Sequence, residues 1–162
     1  MSNKYRVGAI GALMDEYERA SVELIALLLT IDIKTYQKIA DTKTKDKDCI
    51  SIQTIMNHVV RAAYGYSNLI RNEFGEDYKK RKTNYDVDTP EKAISELYSA
   101  LRYTEEGLNN KWNITYKEIR KHIISTAWGQ DFDMDQLLEH AIVHILRHRR
   151  QIEKLLLSNS KN

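Results

Sequence analysis

The chain has 162 residues, a formal net charge of +2 from 25 basic and 23 acidic residues, and only six glycines and one proline. That length is most simply one domain over residues 1–162, with core enough to need no disulfide or metal staple. Near-balanced charge gives no general drive toward nucleic acid, and a single cysteine excludes an internal disulfide or a cysteine-built zinc cage. No basic-then-apolar leader opens the sequence, and no apolar run approaches the roughly 18 residues that span a bilayer. The expectation is a soluble cytoplasmic protein without membrane or nucleic-acid partners.

In chain order, a first helix is predicted from Tyr5 to Ile31, with Val7, Ile10, Met14, Tyr17, Leu24 and Leu28 at helical spacing. Asp41 to Asp48 is polar and reads as a solvated connection. Ser51 caps a second helix whose apolar stripe runs Ile52, Ile55, Met56, Val59, Ala63, Tyr66, Ile70 and fades near Phe74-Gly75. Gly75 to Asp88 is long and polar enough to cross from one end of the molecule to the other.

Thr89-Pro90-Glu91 opens a third helix: a capping hydroxyl, a proline whose missing N–H costs nothing there, then an acid near the positive helix end. Ile94, Leu97, Tyr98, Leu101 and Leu108 form its face. A shorter helix is predicted over Tyr116 to Ile124, ahead of Trp128-Gly129. The fourth long helix starts at Asp133, with Gln136 placed for a capping-box exchange, and runs to Leu157. The fold class is therefore all-α, a four-helix bundle with one extra short helix.

Three of the five histidines, His140, His144 and His148, stand four apart on the fourth helix. Side chains at i and i+4 share a face, so two imidazoles converge on one ion. All three cannot: His140 and His148 lie about 12 Å apart along the axis. At about 100° per residue, His148 falls inside the arc of Leu137, Ala141, Ile145, Ile152 and Leu155. His144 lies about 40° off that centre and His140 about 80° off, nearer the rim. His144 and His148 are the pair to choose, with a third ligand needed from elsewhere. His58 lies on the margin of the second helix's stripe and is the best candidate; His122 is the competitor.

The residues Ser51 to His58, then Trp128-Gly129, then Leu137-Leu138-Glu139-His140 running through His144 to His148-Arg149-Arg150-Gln151, resemble the DinB/YfiT-like superfamily. The likeness in helix length and order covers nearly the whole chain; the sharp motif is confined to the second and fourth helices. The resemblance implies an up-down-down-up bundle and a divalent ion on His58, His144 and His148: zinc first, with nickel, iron or manganese as alternatives. It further implies a homodimer and, in some members, metal-dependent thiol transfer or hydrolysis of a small molecule, with a low-molecular-weight thiol as a partner. Arg150 stands where glycine is common in that pattern, which removes no ligand.

An ion held by neutral imidazoles keeps its full charge and acidifies a water or thiol that reaches a free position. Hydrolysis and thiol transfer thus need the same ligands, and a non-catalytic bundle with a structural or sensing ion is the alternative. No catalytic residue is assigned: Glu139 and Glu153 lack a spacing that fixes a base. Tyr64 and Tyr66 read as core and rim residues, and Cys49 as a lone thiol without a placed base. Arg147, Arg149 and Arg150 spread around their helix. Lys79, Lys80, Arg81 and Lys82 read as a solvated loop in preference to an anion site.

Overall fold

The computed structural model describes residues 5–159 and is mostly helical. In chain order it comprises α1 (Gly8–Leu28), α2 (Ile33–Gln37), a 3-10 turn (Lys47–Cys49), α3 (Ile52–Glu73), α4 (Pro90–Leu108), α5 (Tyr116–Ile119), a two-stranded hairpin of β1 (Ile124–Ser125) and β2 (Asp131–Phe132), and α6 (Met134–Asn159). Among these described residues no helix is long and apolar enough to cross a membrane.

The four long helices share one core. α1 packs on α6 and α4, and α3 packs on α4 and α6. Ile10, Met14 and Leu24 of α1 meet Ile55 and Val59 of α3, Leu97 of α4, and Leu137, Ala141 and Ile145 of α6 in a single buried cluster. The stripe read from the second helix is buried at every position from Ile52 to Ile70, because one apolar residue per turn on one face has no lower-energy place than against the other helices.

Local signals explain most boundaries. Ser51 and Thr54 form a reciprocal cap on α3: Thr54 N donates to Ser51 Oγ at 3.1 Å and Ser51 N donates to Thr54 Oγ1 at 3.1 Å. Thr89 caps α4 with Pro90 at its first turn. Asp133 and Gln136 exchange bonds of 2.9 and 3.0 Å at the start of α6. Gly75, at φ +67°, closes α3 in the left-handed conformation that glycine adopts without strain.

Three expectations are corrected. The first helix is shorter than Tyr5 to Ile31. Its start is set by Gly8, at φ +75°, where a Cβ would lie 2.1 Å from the Trp112 carbonyl oxygen; Val7 is consequently exposed. Its end is set by Asp32, whose carboxylate accepts from Lys34 N and Thr35 N and starts α2 afresh. Second, Tyr98 lies on the exposed side of α4. Third, Tyr116 to Ile124 is not one helix. α5 stops after one turn, and the β-branched run Ile123-Ile124 enters the hairpin, pairing Ile124 with Phe132 and Ser125 with Asp131.

The polar segment between α3 and α4 is strapped down. Asn68 Nδ2 donates to Lys79 O at 2.7 Å, Tyr85 N donates to Asn57 Oδ1 at 2.9 Å, and the Tyr85 ring stacks on Tyr64 at 5.0 Å between centroids. The buried Tyr36 hydroxyl of α2 donates to Val87 O at 2.8 Å, fixing the segment's far end.

Candidate metal centre

His58 projects from α3, and His144 and His148 project one turn apart from α6, which packs on α3. One nitrogen from each of the three rings lies within 4.8 Å of the other two. Ring centroids stand 4.9 Å apart for His58 with His144, 4.9 Å for His58 with His148 and 4.5 Å for His144 with His148. His58 Nε2 and His144 Nε2 are 2.9 Å apart. Two nitrogens bound tetrahedrally at about 2.0–2.1 Å stand about 3.3 Å from each other, so the His58–His144 pair needs an opening of only a few tenths of an ångström to share an ion. The donor set fits a divalent metal.

The outer nitrogens are also occupied. His58 Nδ1 lies 3.2 Å from Asp48 Oδ2, and Arg61 Nη2 pairs with the same carboxylate oxygen. His148 Nδ1 lies 2.9 Å from Gln151 Oε1. Since carboxylate and amide oxygens only accept, these contacts favour the proton on Nδ1 of both rings, against a longer approach of the Arg61 Nη2 donor to His58 Nδ1 at 3.4 Å. The Nε2 lone pairs of His58 and His148 are thereby left for the centre. Partners of this kind typically raise ligand affinity by fixing tautomer and ring angle.

The electrostatics favour neutral rings. His144 is 9% exposed, and burial, reinforced by His148, His58, His140 and Arg147, pushes its pKa down to about 2. Burial also lowers His148, with His58 and Arg147 acting in the same sense against Gln151 and Asp46. A histidine that resists protonation keeps the lone pair a metal requires. The helical wheel set His148 deepest; the structure reverses that order, because Tyr66 and α3 cover His144 while His148 is only half-buried.

The other histidines stand apart from the three. His140 sits at the edge among aromatic rings, 5.5 Å from Tyr66, 6.0 Å from Trp128 and 5.3 Å from Phe132 between centroids. His122 Nδ1 is 3.1 Å from Glu73 Oε1, and its ring packs 4.2 Å from Phe74. Cys49 turns its thiol toward Asp46 Oδ2 at 3.4 Å, and burial pushes its pKa up. Glu139 is exposed and faces a shallow surface beside His140.

Sequence reasoning missed Asp48 and Gln151 as partners. Gln151 was within reach, since a residue three after His148 shares its face. Asp48 was not: it belongs to a stretch read as solvated connection, and the 3-10 turn that swings it beside α3 has no periodic signal.

Beside the histidines opens a cleft of about 1120 Å³. Its floor is one face of α3 from His58 through Gly65 to Asn72, and His140, His144 and Arg147 of α6 close one side. The strapped segment contributes Tyr78, Arg81, Lys82 and Thr83, and the hairpin loop contributes Trp128. Arg81 and Lys82 are exposed, as expected of a solvated loop, and also line this cleft.

No protein family, curated protein or solved structure matches this chain. The class that fold and site define is an all-α protein with a three-histidine cluster able to hold a metal ion.

Proposed function

We propose that this protein is a divalent-metal-binding enzyme of the DinB/YfiT-like kind, with zinc on His58, His144 and His148 and a small-molecule substrate in the adjoining cleft. The single observation that carries the reading is the convergence of three ring nitrogens within 4.8 Å from two separate helices. Among the described residues the converging group comprises these three side chains. Asp48 is turned to the outer nitrogen of His58 and to Arg61. A three-ligand centre with room for a further group is the arrangement of catalytic zinc sites, whereas structural sites are closed by a fourth protein ligand.

When bound, the ion supplies Lewis acidity that draws the proton from a water or thiol reaching it. The chain's own residues do the rest. Asp48 and Gln151 hold the proton on Nδ1 of His58 and His148 and so aim Nε2 inward. Tyr66 and Trp128 flank the cleft with apolar surface that limits water. Metal-assisted thiol transfer and hydrolysis both suit this frame. The ring of helix contacts, α1 with α6, α6 with α3, α3 with α4 and α4 with α1, supports an up-down-down-up four-helix bundle. A homodimer and a cytoplasmic location go with the same family reading.

The test is metal content of protein purified without an affinity tag, since tag columns load adventitious nickel. One divalent ion per chain is expected, with loss of the ion in His144→Ala and in His148→Ala. Retention of stoichiometric metal by both variants sinks the assignment. Binding without any effect of added thiols or water-labile substrates on the ion's spectrum would favour a structural or sensing ion.

A further inference from the structure

The cleft beside the histidines is lined by four cationic side chains, Arg61, Arg81, Lys82 and Arg147, and by no aspartate or glutamate among the described residues. A chain with 25 basic and 23 acidic residues would mix both signs on such a wall if nothing selected one. Two of the four are engaged. Arg61 pairs with Asp48 behind His58, and Lys82 Nζ lies 5.7 Å over the Tyr85 ring. Arg81 and Arg147 have no carboxylate within ion-pair distance among the described residues, and both are exposed to the cleft.

Each is directed there by the fold. Arg147 follows His144 by three residues and His140 by seven, so all three share one face of α6. Its charge reaches His140, His144 and Tyr66. Arg81 lies flat on α3 at Gly65: a Cβ there would stand 3.2 Å from Arg81 Nη1 and 3.7 Å from its Cδ. Gly65 in turn is seven residues after His58, two turns along the same face. The bare backbone of Gly65 admits the guanidinium to the floor of the cleft.

We infer that Arg81 and Arg147 form an anion subsite that seats the carboxylate of a small substrate whose other end reaches the three histidines. This rests on the metal reading above for the second half of the statement only. Guanidinium groups bind carboxylates through paired N–H donors, and two of them in a cleft without acids give both attraction and register. The substrate class is then a short organic acid carrying a metal-seeking group, and cationic analogues of the same length are rejected by like charge.

The experiment loads the protein with cobalt(II) and follows its visible and near-ultraviolet spectrum while titrating three thiols of similar length: 3-mercaptopropionate, 2-mercaptoethanol and cysteamine. The cysteamine thiol ionises most readily, so intrinsic chemistry favours it. The inference expects the opposite order, with the propionate binding about tenfold tighter than the neutral thiol, the scale of a charge-assisted contact at a partly exposed site. Arg81→Gln and Arg147→Gln are each expected to reduce that preference several-fold while leaving cobalt uptake intact, and the double variant to erase it. Equal affinity for the three thiols, or a preference untouched in the double variant, overturns the subsite. A second arm, without metal, titrates glutarate against glutaramide and follows arginine Nε–H signals by nitrogen-15 NMR. Arginine-dependent binding of glutarate supports the subsite and its loss overturns it, whereas a wild-type protein that takes up no cobalt overturns the metal reading alone.

Discussion

Two polar clusters tie helices of this protein together, and they follow opposite electrical plans. At the start of α1, the Arg6 guanidinium donates to Glu18 Oε2 at 2.9 Å and to Glu105 Oε1 of α4 at 2.8 and 3.1 Å, and pairs with Asp15. Its backbone N–H adds a 3.0 Å bond to Asp15. Burial opposes the charge, but the three carboxylates outweigh it and hold the guanidinium above its usual pKa. Between α3 and α6, by contrast, three histidines face one another, with the outer nitrogens of His58 and His148 partnered by Asp48 and Gln151 and the inner nitrogens of His58 and His144 2.9 Å apart. The first cluster supplies its own counter-charges. The second brings together ring nitrogens of three side chains able to hold a metal ion. Stability explains the first arrangement; it does not explain the second.

The largest effect that separates them is response to metal. Zinc at 100 times its Kd should stabilise the wild-type fold by about 2.7 kcal/mol, since binding the folded state alone shifts the unfolding equilibrium by mass action. His144→Ala should lose that increment entirely. Arg6→Gln should keep it, and urea unfolding with and without zinc reads both. If the zinc increment survives in His144→Ala, the contrast between the clusters collapses.

The next effect tests the outer contacts. Gln151→Met and Asp48→Ala leave every proposed ligand in place but release the Nδ1 proton of His148 or His58 from its acceptor. A loss of about 10–100-fold in zinc affinity is expected from each, read by competition with a chromophoric chelator. An unchanged affinity would mean that the rings are oriented by packing alone.

How far the sequence disclosed these two clusters differs sharply. The histidines were legible because α6 is long and regular, so pitch alone excluded His140 from sharing an ion with His148 and the stripe of α3 put His58 at its margin. The caps at Ser51, Thr89 and Asp133 were legible for a similar reason, being contacts within four residues. The Arg6 cluster was not, because its members are separated by up to 99 residues and lie on polar faces that carry no periodic signature. The cleft failed in the same way. Arg81 comes from an irregular segment whose path is set by Asn57, Asn68 and Tyr103, long-range partners that no window of the sequence contains.

Arg6 gives a smaller, metal-independent effect. Its side chain is 22% exposed and that of Asp15 15%, so its pairs are worth more than open surface bridges yet are still screened. Arg6→Gln should lower stability by about 1–2 kcal/mol in metal-free protein, with a gap that narrows in high salt. Equal stability of variant and wild type would show that Gly8 and its close approach to Trp112 hold the start of α1 unaided.

The smallest effect concerns Asp135, in the first turn of α6, where one carboxylate oxygen is buried without a hydrogen-bond partner among the described residues. A helix N-terminus favours an acid, yet burial, with Asp133 and Glu139 nearby, raises the pKa of this one. The sign follows from linkage. With the folded pKa above the unfolded value, the folded state binds the proton more tightly, so stability is highest below the unfolded pKa. It falls as pH rises between the unfolded and folded pKa values and then levels off. Asp135→Asn removes that ionisation and should flatten this part of the stability profile, with a gain of a few tenths of a kcal/mol at neutral pH set against the lost dipole interaction. Because Asp135 is outside the histidine cluster, its zinc affinity should match the wild type. A shallower loss of stability on acidification in the variant than in the wild type would show that the helix dipole, and not burial, governs this carboxylate.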